Sequence, residues 1–218
     1  MKLRGVIFDL DGTLGDTLPA CFAAFRRALS GFSVREYSDE EIAALFGPSE
    51  EGMIRRLVPD RWKDCLRAYL AAYQESLQAY ARPIPGMREA LDRLRGWGVT
   101  LAVVTGKGSH SAVETLRHLG LADVLDTVET GSAGGSVKPA AIRKVLVRWG
   151  VAPEQVAYVG DAPSDMQAAR EAGVVPLAAA WLPTTNAQAL RAMSPVATFR
   201  TLQDFSRWIE TNLGNRRR

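Results

Sequence analysis

Residues 99–104, 124–128 and 156–159 are short apolar runs, and the stretches between and after them, 109–119, 140–149 and 164–172, carry the apolar period of amphipathic helices. Strands that alternate with helices in this way are joined by crossovers, and crossovers build a parallel sheet covered by helices. A further apolar run, Val6-Ile7-Phe8-Asp9-Leu10, stands far upstream. It is too short to be stable alone, so it is expected to join the same sheet.

What separates that first strand from the rest is a block of helical pattern. Leu18, Cys21, Phe22, Phe25 and Leu29 fall on one helix face, with Pro19 suited to a first turn. Ser38 and Glu41 have capping-box spacing ahead of Ile42 and Leu45. Residues 62–80 read as a long helix with Leu66, Tyr69, Leu70 and Tyr73 on its apolar face. No strand pattern interrupts the block, which therefore reads as an insertion. The expected organisation is an α/β core of residues 1–15 and 83–218 and a small helical cap of residues 16–82. Its two linkers, 15–17 and Arg82-Pro83-Ile84-Pro85-Gly86, let the cap hinge over the sheet's C-terminal edge. Beyond 173 the pattern predicts a strand at 174–179, a helix, a short strand at 196–199 and a final helix at 201–213.

Composition excludes several classes. With 218 residues, 47% hydrophobic and 23% charged, the chain has the makings of a continuous core and lacks the bias of disordered or collagen-like proteins. No apolar run approaches the roughly 20 residues of a spanning helix, so no membrane partner is expected. Met1-Lys2-Leu3-Arg4-Gly5 runs into the first strand with no signal-peptide pattern, and a cytoplasmic protein is the expectation. Lys and Arg number 27 against 24 acidic residues, and Arg216, Arg217 and Arg218 carry the whole excess. The basic pI near 9.0 thus describes a tail and gives no reason to expect a nucleic-acid partner. Cys21 and Cys65 are the only cysteines, lie in helical patterns and read as small core residues. Monomer and homodimer both stay open.

Polar residues collect where strands end: Asp9-Leu10-Asp11-Gly12-Thr13, Thr105-Gly106, Lys138-Pro139, and Gly160-Asp161-Ala162-Pro163-Ser164-Asp165. In a parallel sheet these ends share one edge, the usual ligand crevice. Asp9, Asp11, Asp161 and Asp165 crowded there would repel one another unless a cation were present, and all-oxygen ligands favour Mg2+. Magnesium commonly takes one or two carboxylates together with substrate phosphate, so a phosphate ester is the matching ligand. Thr105, Lys138 and loop N–H groups would face the phosphoryl oxygens. Each residue also has a plainer reading: Thr105 a helix cap, Lys138 a loop charge, Asp165 a helix-start charge, Lys107 a solvated charge at helix entry.

Taken together, Asp9-Leu10-Asp11-Gly12-Thr13-Leu14, Thr105, Lys138 and Gly160-Asp161-x-x-x-Asp165 resemble, in order and spacing, the four motifs of the haloacid dehalogenase superfamily. The helical insertion sits where that family carries a cap, and the likeness is strongest to its phosphoglycolate phosphatase-like branch. The resemblance implies a Rossmann-like core and a Mg2+-dependent phosphatase acting on a small phosphorylated metabolite. It makes Asp9 the nucleophile that becomes an aspartyl phosphate, and Asp11 the general acid and base. Gly12, Thr13, Thr105, Gly106 and Lys138 would bind the phosphoryl group. Mg2+ would be held by Asp9, the Asp11 backbone carbonyl and Asp161, with Asp165 either binding it directly or supporting its ligands. Asp11 argues against dehalogenase or phosphonate chemistry, where no alkoxide needs a proton. A phosphomutase or a non-enzymatic phosphoacceptor module remain the alternatives. Phe46-Gly47-Pro48-Ser49-Glu50-Glu51 is the candidate specificity loop. Three places depart from the pattern: Gly15 replaces a bulkier residue, Gly106 an Asn, and Lys138-Pro139-Ala140-Ala141 lacks the second proline common in the third motif.

Overall fold

The computed structural model describes residues 2–32 and 35–213; Arg216, Arg217 and Arg218 lie outside them. In chain order, strand β1 (Gly5–Phe8) and a two-residue strand β2 (Gly15–Asp16) precede helices α1 (Leu18–Leu29), α2 (Asp39–Ala43), α3 (Glu50–Leu57) and α4 (Trp62–Tyr80). A two-residue strand β3 (Arg82–Pro83) and helix α5 (Met87–Gly96) follow. The chain then alternates through β4 (Thr100–Val104), α6 (Ser109–His118), β5 (Thr127–Glu129), α7 (Lys138–Trp149), β6 (Val156–Gly160) and α8 (Pro163–Ala172). It closes with β7 (Val175–Ala179), α9 (Ala187–Ala192), β8 (Ala197–Phe199) and α10 (Leu202–Asn212).

Six strands form one parallel sheet in the order β5-β4-β1-β6-β7-β8. The isolated first strand is thus central, with Phe8 beside Val103 on one flank and Val159 on the other. Val6, Phe8, Leu101 and Val103 pack with α5, α6 and α10 through Leu91, Leu116 and Phe205. Ile7, Ala102 and Tyr158 face α7 and α8 through Ile142, Val145 and Ala169. Burial on both faces explains why the strands read as unbroken apolar runs. Val6, Ile7 and Phe8 are wholly buried, and each such side chain contributes about 1.5–3 kcal/mol. Chain order reverses at β1, which has β4 and β5 on one side and β6 to β8 on the other. This switch point opens a crevice at the strands' C-terminal ends.

The inserted helices gather round a separate core that includes Phe25, Ile42, Ile54, Tyr69 and Tyr73, with the Phe25 and Tyr69 rings 4.5 Å apart. The Ser38 capping box forms: Glu41 N–H donates to Ser38 Oγ at 3.2 Å and Ser38 N–H to Glu41 Oε2 at 2.9 Å. Both linkers meet, because β2 and β3 pair antiparallel, Gly15 with Pro83 and Asp16 with Arg82. Gly15 has a steric reason, since a Cβ there would come within 2.6 Å of Leu119. The expected strand at 124–128 is displaced to Thr127–Glu129. Val124 is buried in the preceding turn, and its apolar character reflects packing on the core, not pairing in the sheet. Among the described residues, no helix is long and apolar enough to cross a membrane.

Candidate active site

Strand ends deliver the charged groups. Asp9 and Asp11 follow β1, Thr105 and Gly106 follow β4, and Asp161 follows β6, while Lys138 opens α7 and Asp165 lies in the first turn of α8. Asp9, Asp161 and Asp165 can each present a carboxylate oxygen within 4.8 Å of the others. Lys138 stands in this group, its Nζ 2.6 Å from Asp165 Oδ1 and 3.0 Å from Asp9 Oδ1. Its approach to Asp9 pairs the charges without hydrogen-bond alignment, and Asp9 Oδ1 is left buried without a hydrogen bond. Asp165 has no exposed surface. It takes a hydrogen bond from Ala162 N–H at 3.0 Å, so it caps α8 while pairing with Lys138.

Gly12 and Thr13 stand against Asp161. The Thr13 hydroxyl donates to Asp161 Oδ1 at 2.9 Å. Gly12 has φ +82°, and any Cβ there would collide with the Asp161 carboxylate. Thr105 is buried, and its hydroxyl accepts from Lys107 N–H at 3.1 Å.

Crowding shows in the acidities. Burial pushes the Asp9 carboxyl up to about 7, with Asp165 and Asp11 adding to the rise and Lys138 opposing it. Burial, followed by Asp165 and Asp9, also raises Asp161 well above the usual carboxylate range. Burial works against the Lys138 charge, but Asp165 and Asp9 outweigh it and hold the ammonium protonated. Three converging carboxylates, two driven to keep protons, and an oxygen without a hydrogen bond form the donor set of a hard divalent cation. The residues present fit Mg2+.

Asp11 occupies different surroundings. Its Oδ1 accepts from the Thr17 hydroxyl at 2.5 Å and from Cys21 Sγ at 3.7 Å, and Lys107 Nζ lies 3.3 Å away. Thr17 precedes α1 without capping it by its side chain. Lys107 is buried, not solvated as its neighbourhood in the sequence suggests. Its ammonium donates to Cys21 Sγ at 3.1 Å and lies 4.4 Å from the Tyr73 ring centroid. Cys21 is buried as expected but borders the site, and burial pushes its thiol up to about 12, so it stays a donor. Thr17, Cys21 and Tyr73 carry no motif signal; only the packing of the cap places them here.

The inserted helices meet the core across the crevice through specific polar contacts. Glu50, buried in the first turn of α3, accepts Gly108 N–H at 2.7 Å and the Ser111 hydroxyl. Ser49 N–H donates to Ser132 O at 2.9 Å, and the Tyr73 and Thr115 hydroxyls share a hydrogen bond of 2.7 Å. Between the two parts lies a cavity of about 560 Å3 that reaches Asp9, Asp11, Thr105, Lys138 and Asp161.

The haloacid dehalogenase-like hydrolase family profile matches residues 6–179, most of the chain and every strand-end motif above. The chain belongs to this family. A phosphoglycolate phosphatase of Nitrosospira multiformis is 33% identical over 186 residues, spanning 79% of this chain and 81% of that one. A phosphoglycolate phosphatase of Aquifex aeolicus is 28% identical over 182 residues, 82% and 85% of the two chains. The likeness places this hydrolase among the family's phosphatases, enzymes that cleave phosphoric monoesters. A crystal structure of a predicted phosphoglycolate phosphatase from Haemophilus somnus superposes with a TM-score of 0.82 at 24% identity, covering 96% of this chain and 99% of that one. It shares the Rossmann-like α/β core with helical insertion.

Proposed function

We propose that this enzyme hydrolyses small organic phosphate monoesters, phosphoglycolate being the reference compound, with Mg2+ and through an aspartyl phosphate on Asp9. The observation that carries the reading is the pairing of Asp9 with Asp11 at the switch-point strand. Asp9 is buried among cation-binding groups, whereas the Asp11 side chain is 16% exposed and reaches the cavity. Mg2+ bound by Asp9, Asp161 and Asp165, with the Asp11 carbonyl, would neutralise phosphoryl charge and supply electrophilic help.

Thr105, the Gly106 backbone and Lys138 bind and orient the phosphoryl oxygens. The Asp9 carboxylate attacks phosphorus, and the ester's P–O bond breaks. Because Asp11 Oδ1 is occupied by Thr17, Cys21 and Lys107, the transferable proton sits on Oδ2. It passes to the leaving alkoxide, which departs as alcohol. Asp11 Oδ2 then takes a proton from water, whose oxygen attacks the aspartyl phosphate, releasing inorganic phosphate and restoring Asp9. General acid–base help of this kind contributes about 10²–10⁴ in rate, and positioning with charge neutralisation supplies much of the remainder. A reducing, cytoplasmic setting suits a site that keeps the free Cys21 thiol as a hydrogen-bond donor. Residues 16–82 act as a cap that opens to admit substrate and closes over it.

The test is inorganic phosphate release from a panel of monoesters with Mg2+. Turnover lost in Asp9→Asn and in excess chelator is the expected result. Stoichiometric labelling of Asp9 without multiple turnover would point to a phosphoacceptor module, and phosphoryl transfer to a sugar to a mutase.

A further inference from the structure

Away from the phosphoryl end, the cavity changes character. Its cap side is built from Leu18, Phe25, Met53 and Tyr69, with Phe46 at the rim. Phe46 is 44% exposed and stacks on Phe22 with ring centroids 6.0 Å apart. At about 560 Å3 the space falls in the range of pockets that enclose drug-sized ligands, roughly 300–1,000 Å3. Phe25, Met53 and Tyr69 expose only 1–3% of their surface, so the carbon that a two-carbon acid would leave in water is chiefly that of Leu18 and the Phe46 rim.

The charges on the wall add a second constraint. Among the described residues lining the cavity, the cations are Lys107 and Lys138. Lys138 sits beside Asp9 and Asp165 at the phosphoryl end, and Lys107 is paired with Asp11, so neither is left for a charge on the alcohol part. Glu50, the acidic residue of the cap wall, is engaged with Gly108 and Ser111. An anionic group on the alcohol part of a substrate would therefore lie near Asp11 and Glu50 with no uncommitted cation, and an unpaired charge in such a place is strongly disfavoured.

We propose that the alcohol released by this enzyme is uncharged and has an apolar body, which lies against Leu18 and the Phe46 rim. The inference rests on the phosphatase reading and makes phosphoglycolate, whose alcohol part bears a carboxylate, a poor substrate. The phosphoryl group occupies the Thr105 and Lys138 end, and the hydrocarbon extends beneath α1 and α3 toward the Phe46 rim.

The experiment compares kcat/KM for ethyl, butyl, hexyl and benzyl phosphates, a hexose phosphate and phosphoglycolate, read as phosphate release with Mg2+. Each added methylene should raise kcat/KM about threefold to fourfold until the cavity is filled. Hexyl and benzyl phosphates should exceed phosphoglycolate at least tenfold. Phe46→Ala, at a partly exposed position whose loss the fold tolerates, should lower kcat/KM for these two esters several-fold more than for ethyl phosphate. A flat alkyl series, or phosphoglycolate or the hexose phosphate as best substrate, overturns the inference and leaves the phosphatase reading standing. Absence of release from every ester, by folded protein with Mg2+, overturns both.

Discussion

Asp9 and Asp11 are two residues apart on one loop, yet their neighbours give them different chemistry. Asp9 is enclosed by Lys138, Asp165 and Asp161, groups that hold phosphate and cation, whereas Asp11 is gripped at one oxygen by residues from the cap linker, α1 and the loop after β4. Removing one of those grips should loosen the proton donor without touching phosphate binding. Thr17→Val is expected to lower kcat about tenfold, the rate equivalent of one hydrogen bond of about 1.4 kcal/mol, with KM within twofold. A change confined to KM would reject that role. Asp9 also couples stability to pH. Its carboxyl ordinarily titrates near 3.8 and is pushed up to about 7 by burial. The metal-free folded state therefore holds a proton that the unfolded chain has released. The resulting stabilisation is complete below about 3.8 and is lost as pH rises through about 7. The loss should appear as a Tm that falls as pH rises. Melting in chelator between pH 5 and 8 should show the decline, and Mg2+ should reverse it by binding the folded state. A Tm independent of pH in chelator would reject the account. The four motif carboxylates were legible in the sequence because each follows a strand. Lys107 was not: its burial comes from Cys21 and Tyr73, both in the cap and one of them 86 positions away in sequence.

Among the elements, α6 has an N-terminus completed by another part of the chain. Its N-cap, Gly108, brings no side chain, and the Glu50 carboxylate from α3 takes up the Gly108 N–H instead. A Cβ on Gly108 would press on that carboxylate at 2.8 Å, which accounts for the glycine. An acidic group at a helix start also meets the positive end of the helix dipole. Because donor and acceptor lie on opposite sides of the cavity, this contact exists only with the cap closed. Loss of a helix cap costs about 0.5–2 kcal/mol, and here that cost falls on closure. Glu50→Ala is expected to raise KM about threefold to thirtyfold, with Glu50→Gln restoring much of the loss because an amide oxygen still accepts. Steady-state kinetics of the two variants decide it; equal KM values in wild type and Glu50→Ala would dismiss the latch. The sequence placed Glu50 in a candidate specificity loop, but its partner follows β4, and no local pattern links residues 58 positions apart. Helix positions were the most legible elements: the period of Leu66, Tyr69 and Tyr73 locates the long cap helix, and the structure has it over Trp62–Tyr80.

For the molecule as a whole, the sequence revealed two cores because the helical period of 18–81 interrupts an otherwise regular strand and helix alternation. How those cores face each other depends on tertiary contacts alone. The paired linkers β2 and β3 bring the two ends of the inserted helices together, and α3 meets the core at Ser132 and Ala133. Gly52 lies where α3 meets the core loop, and a Cβ there would collide with the Ala133 carbonyl oxygen. A larger residue must push α3 off this loop, since backbone cannot yield as a side-chain tip does. Tyr73 and Ser49 hold the core by one hydrogen bond each and Glu50 by two, far fewer than the continuous ladder that joins the strands of the sheet. Gly52→Val should therefore shift the molecule toward an open form. The expected signs are a larger radius of gyration by small-angle scattering and at least a tenfold fall in kcat/KM, with the circular dichroism of the folded helices retained. The physical reason is that opening withdraws Cys21 from Asp11 and admits water to the phosphoryl site, weakening electrostatic interactions that depend on a dry surrounding. Full turnover in a variant shown to be open would mean that the sheet edge alone is the catalyst and that the cap serves only to choose among alcohols.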